Sequence, residues 1–513
     1  MYKVPILQRD KAIQVKITAS KLYNYLQCEH RIWRDANGPQ EEKSKETNPF
    51  VQMLWDKGVG HEETIVKSLG VVLDLKDGTE EERIQNTLDA MEKGAPLIYQ
   101  GMIMSGDLLG IPDLLRSNGD GTYLPIDIKS GMGVEGVDEA SEEIGKFKKH
   151  YAVQLALYCE VLIDVGFAKK HQGMIIDINS DEVAYDLDLP MGARSPLTWW
   201  EFYQETKIKA RKLLNNEVKN TPAYFGMCKL CPWYSSCKKW IISKQDPTML
   251  FYVGRRARDT LHEDLDIESY PELADLDIEN LMEKKKKDKH FLSGLGESSL
   301  EKMVRRSKIM GDTKTPVIHL PTSFPKTSFE LYFDIEDDPT QAFVYLHGVY
   351  ERSPKGERFV DFTALDKTDE AEKEAWNNFW KYIRSLPKDD FTTYYYSHHE
   401  KTTYHRMMGK YPDVVTEEEL DWFFSKEKAI DLYSEVVLNN TDWPLMSYSL
   451  KEIAQYLGFS WRDKSPSGAM SIQWFNKYLE TKDQKDMDRI LLYNEDDCKA
   501  TMVIKDFLDR GSI

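Results

Sequence analysis

The sequence predicts an α/β protein built from two mixed domains separated by a helical segment. Strand-like segments carrying paired acids occur twice, around Asp113 and Asp127 and again at Asp334 and Glu336. Helical segments further along carry polar groups four residues apart, Gln154 with Tyr158 and Tyr493 with Asp497, so that each pair shares a helix face. Between the halves, from about residue 240 to 320, the composition shifts to charged helical sequence with few strand signals. The expected boundaries are 1–240, a helical linker at 241–325, and 326–513.

With 513 residues, 41% hydrophobic and 12% aromatic, the chain can bury several cores. Met1–Asp10 has no apolar leader core, and no uncharged run approaches the ~18 residues of a membrane span, so the expected location is the cytoplasm, away from membranes. The formal charge of -18 argues against a protein that coats nucleic acid, because neutralising phosphates takes Lys and Arg. It leaves room for a nuclease, whose cation-holding acids add negative charge. Basic strips at Arg255-Arg256, Lys284–Lys287 and Arg305-Arg306 read first as solvated helix faces, and can also meet a phosphate backbone. There is no fixed-period repeat and no G-x4-G-K-S/T phosphate loop, which excludes an intrinsic nucleotide-driven motor of that type.

In chain order, residues 17–35 place Leu22, Tyr25, Leu26, Ile32 and Trp33 at helical spacing, with Thr18 or Ser20 as N-cap and Cys28 on the helix. Residues 49–70 read as a helix carrying Gly60-His61-Glu62-Glu63. Residues 98–116 and 121–129 read as two strands bearing Asp113 and Asp127, and 139–165 and 197–217 as amphipathic helices. Cys228, Cys231 and Cys237 follow as C-x2-C-x5-C, with Pro232 breaking regular structure. Pro316, Pro321 and Pro325 lead into a strand at Ser328–Glu336, after which strands and helices alternate. Ser447–Ala454 fits a helix start.

Phosphodiester hydrolysis near neutral pH calls for a hard cation, Mg2+ or Mn2+, held by oxygen ligands. Asp113 in Gly110-Ile-Pro-Asp113 and Asp127 in Asp127-Ile-Lys129 would supply them. Residues two apart on a strand share a face, so Lys129 projects beside Asp127, where it can orient water or stabilise charge. His61 is a candidate additional ligand, and Gln154 and Tyr158 could brace the site. The six cysteines are too few for a disulfide scaffold. Cys28, Cys228, Cys231 and Cys237 suit either an iron–sulfur cluster or structural zinc, and their one-plus-three spacing is unlike a common zinc ribbon. Cys159 and Cys498 fall outside this set.

Taken together, Cys28, His61, Asp113, Asp127-x-Lys129, Gln154-x3-Tyr158 and the cysteine triplet resemble the RecB-like iron–sulfur nucleases of restriction-endonuclease-like fold that include the CRISPR-associated exonuclease family, over about residues 15–240. The resemblance implies a 4Fe-4S cluster held by the four cysteines, closing around the nuclease core, with Mg2+- or Mn2+-dependent cutting of DNA.

In the second half, Asp334 and Glu336 share a strand face, and Tyr493 lies one helical turn from Asp497. Two-metal phosphoryl chemistry uses such acids to hold cations about 4 Å apart. The segment 328–510 is similar to the RNase H-like fold in its tyrosine-bearing DEDD-type 3′–5′ exonuclease branch. The resemblance maps Asp334 and Glu336 to the first motif and Tyr493 and Asp497 to the last. It departs at the middle acid: Tyr396-Ser-His-His-Glu400 stands where the family shows a phenylalanine–aspartate pair, so Glu400 takes the aspartate's place and Asp431 is the rival. His398 and His399 read as exposed polar residues.

The expected protein is a two-nuclease chain acting on DNA ends or single strands, with a helicase or integrase as the expected kind of partner. Two other readings are a nucleic-acid-binding adaptor with one or both sites inactive, and RNA processing by the C-terminal domain.

Overall fold

The computed structural model describes residues 15–70, 72–135, 146–192, 195–339, 341–464 and 467–510. The leader reading of Met1–Asp10 lies outside them. The chain divides into two compact units, one comprising residues 1–222 and 227–237, the other 223–226 and 238–513.

The first unit is built on a mixed six-stranded sheet. Its strands are β1 (Leu73–Asp74), β2 (Leu97–Tyr99), β3 (Leu114–Ser117), β4 (Tyr123–Ile128), β5 (Gln172–Ile176) and β6 (Glu182–Asp186), in spatial order β6-β5-β4-β3-β2-β1. β4 pairs antiparallel with β3 and parallel with β5. The helices that position the site are α1 (Ala19–Gln27), α2 (Glu29–Asn37), α3 (Pro49–Ser68) and α4 (Lys149–Asp164). Thr18 accepts the Lys21 amide at the start of α1, and Asn48 accepts the Phe50 amide at the start of α3. Helix α4 is buried nearly all round, from Tyr151 to Leu162, because it is wedged between the sheet and other helices. Gly173 on β5 allows this close approach: a Cβ there would lie 2.9 Å from Leu155.

Three sequence expectations are corrected here. Residues 17–35 do not form one helix. Cys28 separates α1 from α2 in extended backbone (φ -160, ψ 112), its amide donating to Asn24 O and its carbonyl accepting from Arg31 N. Residues 98–116 are not one strand either. Gly106, at φ 58, turns Ile103–Ser105 back against Leu108–Gly110, a hairpin that pairs with Ile17–Thr18 in a separate small sheet. Asp113 consequently lies just before β3 rather than within a strand, after Pro112 has interrupted the ladder. The expected helix at 139–165 begins only at Lys149, because Lys146-Phe147 pairs as a short strand with Val134-Glu135; residues 136–145 lie outside the described set.

The second unit begins with short helices around a core of Leu250, Leu261, Leu273, Leu292, Leu300 and Met303. Its sheet has five strands, β7 (Phe329–Asp338), β8 (Phe343–Ser353), β9 (Gly356–Thr363), β10 (Phe391–Tyr395) and β11 (Ala429–Asp431), in order β9-β8-β7-β10-β11. β7 pairs antiparallel with β8 and β8 antiparallel with β9, while β10 adds parallel to β7 and β11 parallel to β10. The long C-terminal helix α5 (Gln484–Arg510) packs across β7 and β8. The opposite apolar surface is filled by Trp376, Phe379, Trp380, Tyr404 and Phe423. No helix among the described residues is long and apolar enough to cross a membrane.

Candidate active sites

In the N-terminal unit the register sets Leu114 opposite Ile126, so Asp113 meets the end of β4 where Asp127 sits. Asp113 Oδ2 accepts the Ile128 amide at 2.7 Å, and its backbone carbonyl accepts the Gln100 amide. Asp127 is 2% exposed, and Lys129 Nζ lies 2.9 Å from its Oδ2. Burial, and then the Asp127 carboxylate, push the Asp113 pKa well up; Glu62 adds to this while Lys129 and the Ile128 amide oppose it. Burial lowers the Lys129 pKa, but the two aspartates more than offset it, and the net shift is upward. Lys129 therefore stays a cation beside the acids.

Tyr158 is enclosed between the two carboxylates and the glycine of the Gly110–Asp113 segment. Its hydroxyl donates to Ile111 O at 3.3 Å, and a Cβ on Gly110 would lie 2.7 Å from its ring. Gln154 is half-buried one turn earlier on α4. His61 on α3 is bonded through Nε2 to Asp177 O at 2.9 Å, the arrangement that leaves Nδ1 to act as a ligand. Its neighbour Glu62, not chosen from sequence, reaches the acid site itself: Gln100 Nε2 donates to Glu62 Oε1 at 2.7 Å and to Asp113 Oδ1 at 3.2 Å. Its signal lay in the same Gly60–Glu63 segment.

In the C-terminal unit, ligand oxygens of Asp334, Glu336 and Asp497 all fall within 4.8 Å of one another. Asp334 and Glu336 are two apart on β7, whose register shifts directly after Glu336. Asp497 comes from α5, more than 150 residues on. Asn494, one turn earlier on that helix, donates from Nδ2 to Asp334 Oδ2 at 2.7 Å and to Glu336 Oε1 at 3.4 Å. Burial and then Asp497 push Glu336 up to about 8. Burial, Asp497, Glu336 and Glu400 raise Asp334, and burial raises Asp497. Three crowded acids that resist ionising together are the donor set a divalent cation would satisfy.

Tyr493 lies beside Asp497 as the i, i+4 spacing predicts, and Lys451 Nζ donates to its hydroxyl at 2.9 Å. Trp461 Nε1 donates to Asp497 Oδ1 at 2.6 Å. Sequence reasoning missed Asn494, Lys451 and Trp461 as site residues; the first two lay within segments singled out for other reasons. Glu400 is buried on the first turn of the helix His398–Lys410 and is pushed up to about 7, chiefly by burial, with Asp431 adding to it. Neither Glu400 nor Asp431 joins the group of three within 4.8 Å. Asp431 caps the next turn instead, its Oδ1 accepting the Tyr433 and Ser434 amides. His398 Nδ1 is 3.4 Å from Asp431 Oδ2, and His399 Nε2 is 3.0 Å from Asp337 Oδ1.

No disulfide joins the six cysteines. Cys28 sits in the α1–α2 break, Cys228 on the turn Gly226–Leu230, Cys231 just beyond it and Cys237 on the helix Tyr234–Lys244. The Cys237 thiol is pushed up to about 12 by burial, with Cys231, Cys28 and Cys228 adding to it, so the four thiols are electrostatic neighbours.

A search of curated proteins found no match. The model of the PD-(D/E)XK nuclease superfamily matches residues 18–238, and that of the RNase H superfamily matches residues 331–509. The chain is therefore a PD-(D/E)XK nuclease-superfamily domain fused to an RNase H-superfamily domain.

Proposed function

We propose that the chain is a nuclease with two separate phosphodiesterase centres, dependent on Mg2+ or Mn2+ and hydrolysing DNA ends or single strands in the cytoplasm. The observation that carries this reading is the convergence of Asp334, Glu336 and Asp497 to within 4.8 Å, beside a tyrosine. A bound divalent cation supplies Lewis-acid polarisation of the phosphate and a lowered water pKa. The chain's own groups do the rest. In the N-terminal centre Asp113 and Asp127 hold the cation while Lys129 stays charged to steady the developing phosphate charge. Tyr158 closes the floor and excludes water from that side. In the C-terminal centre Asn494 fixes the orientation of Asp334 and Glu336, and the Tyr493 hydroxyl, oriented by Lys451, positions water.

The finer family reading is a RecB-like nuclease of the CRISPR-associated exonuclease kind fused to a DEDD-type exonuclease with Glu400 as its middle acid. In this reading Cys28, Cys228, Cys231 and Cys237 would hold the iron–sulfur cluster.

The test is cleavage of end-labelled and end-blocked DNA and RNA by protein purified without oxygen, with each centre inactivated in turn. Activity that needs a divalent cation and splits between the two variants supports the reading. Wild-type-like cutting by both variants overturns it. A second reading, strand binding without cutting by the C-terminal domain, rests on Glu400 lying outside the three-acid group. It predicts retained binding and no C-terminal cleavage even with Mn2+.

A further inference from the structure

Beside the N-terminal acids runs a strip of aromatic and basic side chains that, Lys129 apart, the hydrolytic chemistry leaves unused. Lys129 Nζ, already beside Asp127, lies 5.8 Å from the centre of the Tyr151 ring, and Lys148 Nζ lies 5.2 Å from the same ring. His150 stands edge-on to Tyr151 at 4.4 Å and to Tyr23 at 5.4 Å. Tyr23, at the far end on α1, is 37% exposed, and Lys149 is exposed beside it in sequence to His150. The loop after Lys129 lies under this strip: a Cβ on Gly131 would be 3.4 Å from the Tyr151 hydroxyl. Desolvation, and then Lys148 and Lys129, hold the His150 pKa down to about 4, so its ring is neutral and apolar-faced near pH 7.

In a chain carrying a formal charge of -18, a row of lysines leading to buried carboxylates is complementary to a phosphate backbone. The exposed Tyr23 ring, backed by the half-buried His150, suits a base freed from a duplex, because every base offers a π-face. A duplex hides those faces in its own stack.

We propose that Tyr23 and His150, with Lys148, form a single-strand entry ledge that stacks an unpaired base and holds the adjoining phosphate, leading the strand to Asp113 and Asp127. The ledge makes the N-terminal centre selective for single strands or frayed ends. This rests on the nuclease reading above. Tyr23 and His150 act as positioning residues.

The test uses the full chain with Ca2+ in place of the catalytic cation and a fluorescein-labelled oligothymidylate, against a closed hairpin duplex of equal charge. Tyr23→Ala is expected to weaken oligothymidylate binding about fivefold or more, the low end of one lost base stack. Tyr23→Phe, which keeps the ring, restores it, and duplex binding changes little. Lys148→Ala reduces the salt slope of single-strand binding by about one. With Mg2+, Tyr23→Ala raises KM for single strands more than it lowers kcat. Unchanged single-strand affinity in Tyr23→Ala, or equal losses for strand and duplex, overturns the ledge while leaving the nuclease reading intact. Wild-type protein that binds and cuts neither substrate overturns both.

Discussion

Gly348 on β8 stands directly opposite Asp334 in the antiparallel ladder, and the space its missing Cβ leaves is filled by the Asn494 side chain. Asn494 in turn donates to both Asp334 and Glu336. A glycine on one strand thus lets a helix from the far end of the chain orient two acids on the next. Gly348→Ala would drive a methyl group into Asn494 Oδ1. The expected cost is about 1–3 kcal/mol of stability, with loss of C-terminal cleavage and retention of N-terminal cleavage. Thermal melts and end-labelled cleavage assays check both.

Asp127→Ala and Asp497→Ala are each expected to remove one of two separable activities, by at least about 100-fold, as removal of a cation-holding acid does to charge stabilisation. Gel assays on single- and double-stranded substrates separate them. A loss of both activities in either variant would show that the two centres are interdependent.

Lys451 opposes the upward shifts of Asp334, Glu336 and Asp497 and donates to Tyr493. Lys451→Met should therefore raise the pKa of these acids and move the acid limb of the C-terminal pH–rate profile to higher pH, with a fall in kcat of about 10- to 100-fold. A pH profile identical to wild type would remove Lys451 from the site.

The acids also set a pH dependence of stability. Glu336, at about 8 in the fold against an ordinary 4.5, binds more protons folded than unfolded across that interval. The contribution of Glu336 to the stability of the cation-free protein is therefore fully present below about 4.5, falls as pH rises and is lost through about 8. Adding Mg2+ should raise Tm more at pH 8 than at pH 5, and Glu336→Gln should flatten the slope. Melting curves in chelator and in Mg2+, across this range, provide the measurement.

The cysteine set makes an analytical prediction. Protein purified without oxygen should carry iron and sulfide with a broad visible absorbance, and Cys237→Ser should lose both and melt earlier. Stoichiometric zinc without iron would sink the cluster assignment.

Strand and helix periodicities made much of the chemistry legible. Alternation along β7 put Asp334 and Glu336 on one face, and the four-residue spacing put Tyr493 over Asp497, because those relationships depend only on a few successive dihedrals. The same rule paired Asp127 with Lys129. It also misled at Cys28 and Asp113. A cysteine in a helical pattern and an acid after Gly-x-Pro read as continuations of their elements, yet the backbone breaks at both.

By itself, then, the sequence determined which side chains share a face within each element, and so which acids stand ready in pairs. The tertiary structure decided which pairs meet. Asn494 contacts Asp334 across 160 residues, Glu62 reaches Asp113 through Gln100, and Lys451 reaches Tyr493. These contacts arise from packing a helix against a sheet, where a missing Cβ at Gly348 or Gly110 sets the approach. No local pattern encodes that distance, because it is fixed by the volumes of residues far apart in the chain.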